Sequence, residues 1–333
     1  MGPDDFFYEL QESSIAQDPL VERSSAKMLV DLGQGPEHLH IREFPKLLRP
    51  NDVVVVNNTR VLPGRLFLKK KTGGTVEILL LKPRSENIWE ALVRPSRKVR
   101  PGTELKASSE LTICVGEDLG EGRRLVEVNA QSNFLSLLER YGQVPLPPYI
   151  KKELKDSERY QTVFSDKPSS SAAPTAGLHF TQELLDECRS MGARIEEIEL
   201  AIGLDTFRPI TVTDLDDHSM HSEFYNVSET VMESCREAER VIAIGTTTVR
   251  ALESAHLFGL SGQTKLFIRD PFEFQVVDVL LTNFHLPRST LLVMIEAFIG
   301  SYWRNLYEVA QEAGYRFLSF GDAMLISKRE TRK

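Results

Sequence analysis

Short apolar segments rich in β-branched residues follow one another between residues 52 and 128. Each has the length and composition of a strand, and glycine, proline and aspartate of the kind that form turns lie between them. No helical period interrupts the series, which predicts a small barrel or sandwich. The predicted strands are VVVV (53–56), RLFL (65–68), TVEILLL (75–81), IWEALV (88–93), LTICV (111–115) and RRLVEV (123–128).

The pattern changes at residue 132, where the segment 132–142 predicts an amphipathic helix that ends at Gly142. Beyond residue 172, strand-like and helix-like segments alternate, which predicts an α/β layer fold. The predicted strands there are ARIEEIELAIG (193–203), VIAIG (241–245), KLFIRD (265–270) and FQVVDVLLTNF (274–284). The predicted helices are TQELLDECRSMG (181–192), ETVMESCREAER (229–240), TTTVRALESAHLFG (246–259), STLLVMIEAFIG (289–300) and SYWRNLYEVAQEAG (301–314).

The order of these segments predicts a discontinuous organisation. We expect an α/β domain with a mixed sheet, built from residues 1–58 and 146–333, and a small all-β barrel domain inserted at residues 59–145. Residues 60–128 carry 14 Lys and Arg against 9 Asp and Glu, whereas the whole chain has a net charge of −8. A basic module on an acidic protein is typical of a region that meets an anionic polymer.

The composition is that of a globular protein with a core, at 41% hydrophobic and 26% charged residues. No apolar run is long enough to span a bilayer, and the acidic start lacks the basic region of a secretory signal. The three cysteines are scattered, which argues against a disulfide framework and fits a reducing cytoplasm. We expect a cytoplasmic monomer without a membrane partner.

Four loops combine asparagine, threonine, glycine and histidine with few carboxylates, and they lie where strands meet helices. Ligands of open α/β sheets bind at such strand ends, and neutral donors suit a polar, cationic or zwitterionic small molecule. No G-x-G-x-x-G or P-loop motif is present, so a dinucleotide or triphosphate site of those types is not expected. The candidate ligand-binding residues are Asn57, Asn58, Arg60, Thr175, Gly177, Gly245, Thr246, Thr247, Thr248 and Asn283, beside His179 and His285.

Each loop also has a purely structural interpretation. One of the threonines at 246–248 suffices to cap a helix, and Asn283 with His285 can satisfy buried backbone groups. The asparagines at 57–58 can form turns at the domain junction. In AAPTAGLHFT (172–181), the proline and the last threonine are typical of a helix lead-in and its cap.

The acidic segment 214–224 places His218 and His221 beside Asp217 and Glu223, which superficially looks like a set of metal ligands. Acidic clusters with histidines are commonly solvated loops, so we expect no metal. One histidine remains a candidate acid or base.

Basic residues cluster at two predicted turns of the inserted domain. Lysines at turns are often only solubilising, but arginines around turn-forming prolines are typical of a surface that contacts phosphates. The candidate phosphate-contacting residues are Lys69, Lys70, Lys71, Arg94, Arg97, Lys98 and Arg100.

Eight motifs run in one characteristic order from about residue 6 to 326. They are NNTRV (57–61), PLPPYI (145–150), RYQTVF (159–164), AAPTAGLHF (172–180), HSMHSEFY (218–225), GTTTVRALE (245–253), TNFHLPRSTLL (282–292) and FGDAML (320–325). Through these motifs the chain resembles the S-adenosylmethionine:tRNA ribosyltransferase-isomerase family of queuosine biosynthesis. Eight blocks in register are far more specific than any single motif.

The resemblance implies a reaction that composition alone cannot indicate. The family transfers the ribosyl part of S-adenosylmethionine to 7-aminomethyl-7-deazaguanine at the tRNA wobble position and isomerises it, which gives epoxyqueuosine and releases adenine and methionine. It also implies an α/β domain with an inserted β-barrel, and no metal.

Such a reaction needs a base beside the sulfonium carbon, an acid for the departing adenine, and donors that hold the substrate. The resemblance makes His179, His285 and His221 candidates for the proton transfers, without distinguishing their roles. The threonines at 246–248, with Asn283 and Asn57, would hold ribose, adenine or methionine. Arg250 or Arg60 would pair with the methionine carboxylate, and the basic insert would bind the tRNA.

The chain departs from the family pattern in several places. The usual L-H-V-G-x-G-T-F reads LAIGLDTF (200–207), so Ala201 replaces a histidine and Asp205 a glycine. If that histidine is the base in relatives, this chain would be weak or inactive. Alternatively, the histidine is structural in relatives, or His179 performs the chemistry. Further departures are SSSAAPTAG (169–177), RDPFEF (269–274) and SSAKML (24–29).

Two alternative functions remain open at this point. A different S-adenosylmethionine enzyme, such as a methyltransferase, is disfavoured by the missing glycine-rich first loop and by the inserted domain. A non-catalytic RNA-binding relative is favoured only by Ala201 and the neighbouring changes.

Overall fold

The computed structural model of the protein describes residues 1–203, 206 and 209–329. The chain forms two compact units, one of Met1–Arg60 with Pro147–Lys333 and one of Val61–Leu146. The strands are β1 (Lys27–Asp31), β2 (Glu37–His40), β3 (Val53–Asn57), β4 (Thr59–Val61), β5 (Arg65–Lys70), β6 (Thr75–Pro83), β7 (Ile88–Arg94), β8 (Glu104–Lys106), β9 (Leu111–Gly120), β10 (Arg123–Ala130), β11 (Gly142–Gln143), β12 (Lys167–Ser170), β13 (Arg194–Leu200), β14 (Glu223–Asn226), β15 (Val241–Ile244), β16 (Ser261–Thr264), β17 (Val279–Asn283) and β18 (Ala323–Ser327). The α-helices are α1 (Phe134–Tyr141), α2 (Gln182–Ser190), α3 (Glu229–Glu237), α4 (Thr246–Phe258), α5 (Thr290–Ile299) and α6 (Trp303–Glu312).

The larger unit is built on a nine-stranded mixed sheet in the order β16-β14-β13-β3-β15-β17-β18-β1-β2. The four central strands β13, β3, β15 and β17 are parallel to one another, and β18 pairs antiparallel with β17. The carboxyl ends of the four parallel strands therefore lie at one edge of the sheet, which is where such sheets bind ligands. Within the described part of the chain, no helix is both long and apolar enough to cross a membrane.

Strand β3 shows why the sequence of a central strand in this sheet is an uninterrupted run of apolar residues. Val53 and Val55 belong to the core that packs against α3, α4, α5 and α6, whereas Val54 and Val56 belong to the core on the α2 side. Since both faces are covered, every residue of the strand is buried and no alternation with polar residues is required.

Short polar side chains start the helices of this unit. The hydroxyls of Thr181, Ser228 and Ser289 each accept a hydrogen bond from the backbone N–H three residues later, at 3.2, 3.2 and 3.3 Å. These side chains satisfy donors that have no partner within the helix, which fixes where α2, α3 and α5 begin.

The smaller unit is a closed antiparallel barrel. Strands β5, β6, β7, β10, β9 and β8 pair in that order, and β8 pairs again with β5 through the register Lys69 to Lys106 and Lys70 to Leu105. Alternate residues of β9, Leu111, Ile113 and Val115, are fully buried in the barrel core. The mixed sheet and this closed barrel confirm the predicted fold class.

Two strand predictions need correction. KLFIRD (265–270) is not a strand, because the Thr264 hydroxyl accepts the N–H of Leu266 at 3.1 Å and turns the chain out of β16. FQVVDVLLTNF is a strand only from Val279, because the N–H groups of residues 275–277 donate to the Glu253 carboxylate instead of to a neighbouring strand. Several strands were not predicted at all, since each is short and lacks a distinct pattern; they are β1, β2, β4, β8, β11, β12, β14, β16 and β18.

Candidate active site

A cleft with about 590 Å³ of open space lies at the carboxyl ends of β15 and β17. Its walls come from the 3₁₀ helix at Thr175–His179, the start of α4, the loop after β17 and the segment at Leu318–Ser319. Among the described residues that line it there is no lysine, arginine, aspartate or glutamate, so the cleft presents neutral polar groups and apolar surface.

The start of α4 lies at the cleft, and the first N–H groups of a helix have no partner within it. Gly245 has φ +95°, a conformation that side chains rarely adopt, and its N–H donates to the Leu281 carbonyl at 2.7 Å. No side chain of the described chain caps this helix, and Thr246 and Thr247 line the cleft. Thr248 does not line it, because its hydroxyl is buried against the Ile244 carbonyl at 2.8 Å.

Thr175 and Asn283 join two of the predicted loops directly. The Thr175 hydroxyl donates to Asn283 Oδ1 at 2.9 Å, and Asn283 Nδ2 donates to the Asp322 carbonyl at 3.3 Å. Gly177 supports the same wall from behind, since a Cβ there would stand 2.6 Å from the Phe164 ring. The predicted residues Thr175 and Asn283 therefore share one surface of the cleft.

His285 is the histidine that lines the cleft. Its Nε2 lies 2.9 Å from the Thr282 hydroxyl, and its backbone N–H donates to the Tyr307 hydroxyl at 3.0 Å. Burial lowers the pKa of His285 to about 3, because the imidazolium would lose its hydration. The ring is therefore neutral at physiological pH, and a neutral imidazole has one nitrogen that donates and one that accepts a hydrogen bond.

His179 lies behind the wall and does not line the cleft. Its Nδ1 faces the Ala176 carbonyl at 3.1 Å and its Nε2 faces the Gly321 carbonyl at 2.8 Å. A neutral imidazole has one N–H and can donate to only one of them. Burial lowers the pKa of His179, while the two carbonyls oppose that shift. Both ring nitrogens are thus occupied by the protein backbone.

The three predicted residues of NNTRV form hydrogen bonds within the protein. Asn57 Nδ2 donates to the Leu200 carbonyl at 3.0 Å, and its Oδ1 accepts from the Leu200 N–H at 3.2 Å. Asn58 Nδ2 donates to Glu197 at 3.0 Å, and Arg60 bonds Ser165 at 3.1 Å and forms an ion pair with Glu158. None of the three predicted residues lines the cleft.

Arg250 is held in a buried ion pair. Its guanidinium lies 2.5 Å from Glu223 Oε2 and also donates to the backbone carbonyl of His221, whose side chain is exposed. The other carboxylate oxygen of Glu223 accepts from the Gly203 N–H at 2.9 Å and from the Thr206 hydroxyl at 3.1 Å. Because Thr206 lines the cleft, the Arg250–Glu223 pair anchors part of its wall from outside.

The region of the family departure is only partly described. Ala201 is half-buried and does not line the cleft, whereas the adjacent Ile202 does. Asp205 lies outside the described residues. Across the described chain, no group of three or more His, Cys, Asp or Glu side chains is placed to hold a metal ion.

Sequence reasoning assigned no role to several residues that line the cleft. Tyr149 and Ser319 form a hydrogen bond of 2.7 Å there, and Thr206, Thr282 and Ser289 also line it. The signal for Tyr149 was available in PLPPYI, and Ser319 directly precedes FGDAML. Neither motif has a spacing that by itself indicates chemistry.

The predicted phosphate-contacting residues all belong to the barrel. The Lys70 ammonium donates to the Lys98 carbonyl, which places the end of β5 beside the short 3₁₀ helix Ser96–Lys98. Lys71 pairs with Glu104 at 3.3 Å. The remaining predicted residues are solvent-exposed and form no ion pair within the described chain; they are Lys69, Arg94, Arg97, Lys98 and Arg100.

Comparison with known proteins covers almost the whole chain. The sequence model of a family described as "Queuosine biosynthesis protein" matches residues 3–326. The S-adenosylmethionine:tRNA ribosyltransferase-isomerase of Carboxydothermus hydrogenoformans is 46% identical over 97% of this chain and 98% of the relative. Proteins of the same name from Rubrobacter xylanophilus and Thermus thermophilus are 47% and 46% identical, over 98% of this chain and 98% and 99% of the relatives.

The structural comparison agrees. The crystal structure of an S-adenosylmethionine tRNA ribosyltransferase from Thermotoga maritima matches with a TM-score of 0.55 and 34% identity, over 97% of this chain and 99% of that one. Since the family match and the relatives each extend over nearly the full length, the chain belongs to the queuosine biosynthesis protein family.

Proposed function

We propose that this protein is an S-adenosylmethionine:tRNA ribosyltransferase-isomerase. It transfers the ribosyl group of S-adenosylmethionine to 7-aminomethyl-7-deazaguanine at the tRNA wobble position and isomerises it to the epoxycyclopentanediol of epoxyqueuosine. Adenine and methionine leave. The observation that carries the proposal is the full-length likeness to relatives of that name at 46–47% identity.

The cleft at the ends of β15 and β17 is the proposed S-adenosylmethionine site. A sulfonium cation and a zwitterionic amino acid are compatible with walls that carry no fixed charge among the described residues. The N–H groups of Thr246 and Thr247 at the start of α4 would receive the methionine carboxylate, because a helix N-terminus favours an anion. Arg250 and Arg60 are less suited to that task, since each is already paired with a carboxylate of the protein.

His285 is the proposed base. It lines the cleft, its neutral form prevails at physiological pH, and Thr282 holds its ring at 2.9 Å. It would remove the proton from the carbon beside the sulfonium, whose positive charge makes that proton more acidic. Thr175 and Asn283 would orient ribose hydroxyls from the adjoining wall.

His179 is proposed to position the cleft wall and not to contact the substrate. Its buried ring lies between the carbonyls of Ala176 and Gly321 and donates a hydrogen bond to one of them, so it supports the 3₁₀ helix that presents Thr175. His221 would remain at the protein surface, where its backbone carbonyl accepts a hydrogen bond from Arg250. Of the three histidines considered, one then touches substrate and one supports the wall.

The barrel is the proposed tRNA-binding domain. Its exposed basic residues near Ser96–Lys98 would contact phosphates, and the compact units Met1–Arg60 with Pro147–Lys333 and Val61–Leu146 would act as a catalytic and an RNA-binding domain. We propose a monomer that works in the cytoplasm and that requires no metal.

The test is incubation with S-adenosylmethionine and a tRNA that carries 7-aminomethyl-7-deazaguanine at the wobble position. Stoichiometric adenine and methionine, together with a mass increase of the modified nucleoside, are expected. The same tRNA with guanine at that position is the matched control and should give neither product. Formation of S-adenosylhomocysteine would instead identify a methyltransferase, and tRNA binding without turnover would identify a non-catalytic relative.

A further inference from the structure

Three motifs without an assigned role meet at one side of the cleft. PLPPYI contributes Tyr149, RYQTVF contributes Tyr160, and Ser319 lies directly before FGDAML. The hydroxyls of Tyr149 and Ser319 are 2.7 Å apart, and both residues line the cleft. Ser319 is 170 residues from Tyr149 in the chain, so the fold brings these two hydroxyls together.

Tyr160 stands behind this pair with an unused hydroxyl. Its side chain is fully buried, and its oxygen has no hydrogen-bond partner in the described chain. Ser319 and the Ala173 backbone are near enough to affect its pKa, which burial raises, yet neither completes a hydrogen bond of normal geometry. The ring is held edge-on against Phe320 at 5.8 Å between centroids. A buried unpaired hydroxyl is costly, so this arrangement points to a state in which Ser319 turns and the hydroxyl becomes paired.

The proposed reaction needs a donor that the histidines do not supply. Departure of adenine requires a proton or a strong hydrogen bond at a ring nitrogen as the glycosidic bond breaks. His285 is neutral at physiological pH and is assigned to the opposite task. Among the described residues that line the cleft, the only other side chain with a titratable proton is Tyr149.

We propose that Tyr149 donates its phenolic proton to the departing adenine and that Ser319 and Tyr160 form a hydrogen-bonded chain behind it. In this chain Tyr160 donates to Ser319, Ser319 donates to Tyr149, and Tyr149 donates into the cleft. The inference rests on the proposed function and names a further residue of the same site.

The step is balanced in protons and electrons. The bonding pair of the broken C–N bond goes to the purine nitrogen system, which receives the proton from the Tyr149 oxygen. The phenolate accepts hydrogen bonds along the chain, which polarise one another, and regains a proton from water before the next turnover. Burial raises the pKa of Tyr149, so the phenol carries its proton when substrate binds.

Tyr149→Phe tests the donor without removing the ring. With the modified tRNA and S-adenosylmethionine, we expect kcat for adenine release to fall about 100- to 1,000-fold, the usual range for loss of an acid catalyst, while KM changes little. Ser319→Ala and Tyr160→Phe should give progressively smaller losses, since each is one step further from the purine. Tyr302→Phe is the matched control, because Tyr302 bonds Asp31 at 2.9 Å outside the cleft and its loss should leave kcat unchanged.

Purine-modified substrates show whether the phenol acts on the leaving group. S-adenosylmethionine analogues with carbon in place of N7 or of N3 remove one acceptor at a time. The analogue that lacks the receiving nitrogen should be slow with the wild-type protein and no slower with Tyr149→Phe. If Tyr149→Phe slows the natural substrate and both analogues by the same factor, Tyr149 does not donate to either nitrogen, and the inference is wrong.

Failure of this inference is distinct from failure of the proposed function. A wild-type protein that releases no adenine refutes the proposed function, and the inference with it. A wild-type protein that releases adenine, with Tyr149→Phe equally active, overturns only the role of Tyr149. A variant that keeps kcat but binds S-adenosylmethionine more weakly by calorimetry likewise overturns the donor role, because it makes Tyr149 a binding residue.

Discussion

The Thr175 hydroxyl donates to Asn283 Oδ1 at 2.9 Å and thereby joins two loops that are 108 residues apart in the chain. The bond also fixes the orientation of the Asn283 amide, since Nδ2 then donates to the Asp322 carbonyl. Two loops that each looked like a helix lead-in become one wall of the cleft. The hydrogen-bonding capacity that Thr175 and Asn283 do not use for each other or for the Asp322 carbonyl is available to a ligand at this wall.

Thr175→Val should weaken S-adenosylmethionine binding with little loss of fold. It removes one side-chain hydrogen bond, worth about 1 kcal/mol, and frees the amide of Asn283 to turn. We expect KM for S-adenosylmethionine to rise several-fold and the free energy of unfolding to fall by about 1 kcal/mol. Thr112→Val, a half-buried threonine of barrel strand β9, is the matched control and should leave KM unchanged. An equal KM in both variants would contradict the assignment of this wall.

His179→Ala should abolish adenine release while tRNA still binds. The substitution removes the ring between the carbonyls of Ala176 and Gly321, so the 3₁₀ helix that carries Thr175 loses its support. Steady-state adenine release and tRNA binding by filter retention measure the two effects separately. Loss of S-adenosylmethionine affinity is expected along with activity. A variant that binds S-adenosylmethionine normally but has lost one limb of the pH–rate profile would place His179 in the chemistry instead.

His285 should make stability depend on pH below neutrality. Its pKa is lowered by burial to about 3, whereas in the unfolded chain it is near 6.5. As pH falls from about 6.5 towards 3, the unfolded chain gains a proton that the folded ring refuses, so the folded state loses stability. The contribution is up to about 1.4 kcal/mol per pH unit.

Urea unfolding of His285→Gln across this pH range measures the effect. The free energy of unfolding should change less steeply with pH in the variant than in the wild type, by an amount that corresponds to up to one bound proton. This holds whatever the stability of the variant at neutral pH. His256→Gln, at an exposed histidine of α4, is the matched control and should keep the wild-type slope. Identical slopes for all three proteins would mean that His285 titrates normally.

Glu223→Gln should destabilise the protein and also disturb the cleft. It leaves the buried Arg250 guanidinium without its countercharge, which typically costs about 3–5 kcal/mol, and loosens the bond to Thr206. We expect a lower Tm and a higher KM for S-adenosylmethionine. The surface pair Arg236–Glu229, at 2.7 Å, provides the control Glu229→Gln, which should change neither.

A double variant separates the effect of the uncompensated Arg250 charge from the effect of the lost hydrogen bonds between Glu223 and the cleft wall. Replacing Arg250 by Met together with Glu223→Gln removes the uncompensated cation, so part of the stability should return. KM should stay high, because the hydrogen bonds that Gly203 and Thr206 donate to the side chain of residue 223 are still weakened. Full recovery of KM would show that this carboxylate does not position the cleft wall.

Neutralising Arg94, Arg97 and Lys98 should weaken tRNA binding and flatten its salt dependence. Each lost phosphate contact lowers the magnitude of the slope of log K against log salt by about 0.7–0.9. The slope of the triple variant should therefore be smaller than that of the wild type by about 2–3. Lys151, Lys152 and Lys155, which are exposed on the larger unit, provide a control with the same change of charge. If both triple variants lose the same slope, the barrel residues have no special role in binding.

Much of the architecture is determined by local sequence pattern. The VVVV run is a strand buried on both faces, and an unbroken run of β-branched residues is typical of such strands. Thr181 and Ser289 determine where helices begin, since their hydroxyls meet N–H groups three residues away. The barrel strands alternate with clear turn residues, and the eight motifs indicate the family. Each of these signals depends on residues that are close together in the chain, or on a series of such segments, so the sequence alone is sufficient to predict them.

Only the tertiary structure decided which polar residues face the cleft. His179 and His285 look alike in sequence, each in a small polar loop before a helix, yet backbone carbonyls occupy both nitrogens of the first while the second lines the cleft. Arg250 is paired with a glutamate 27 residues earlier, and Tyr149 meets Ser319 across 170 residues. Such pairings depend on how distant segments pack, because a side chain's partner is set by position in space and not by the residues beside it.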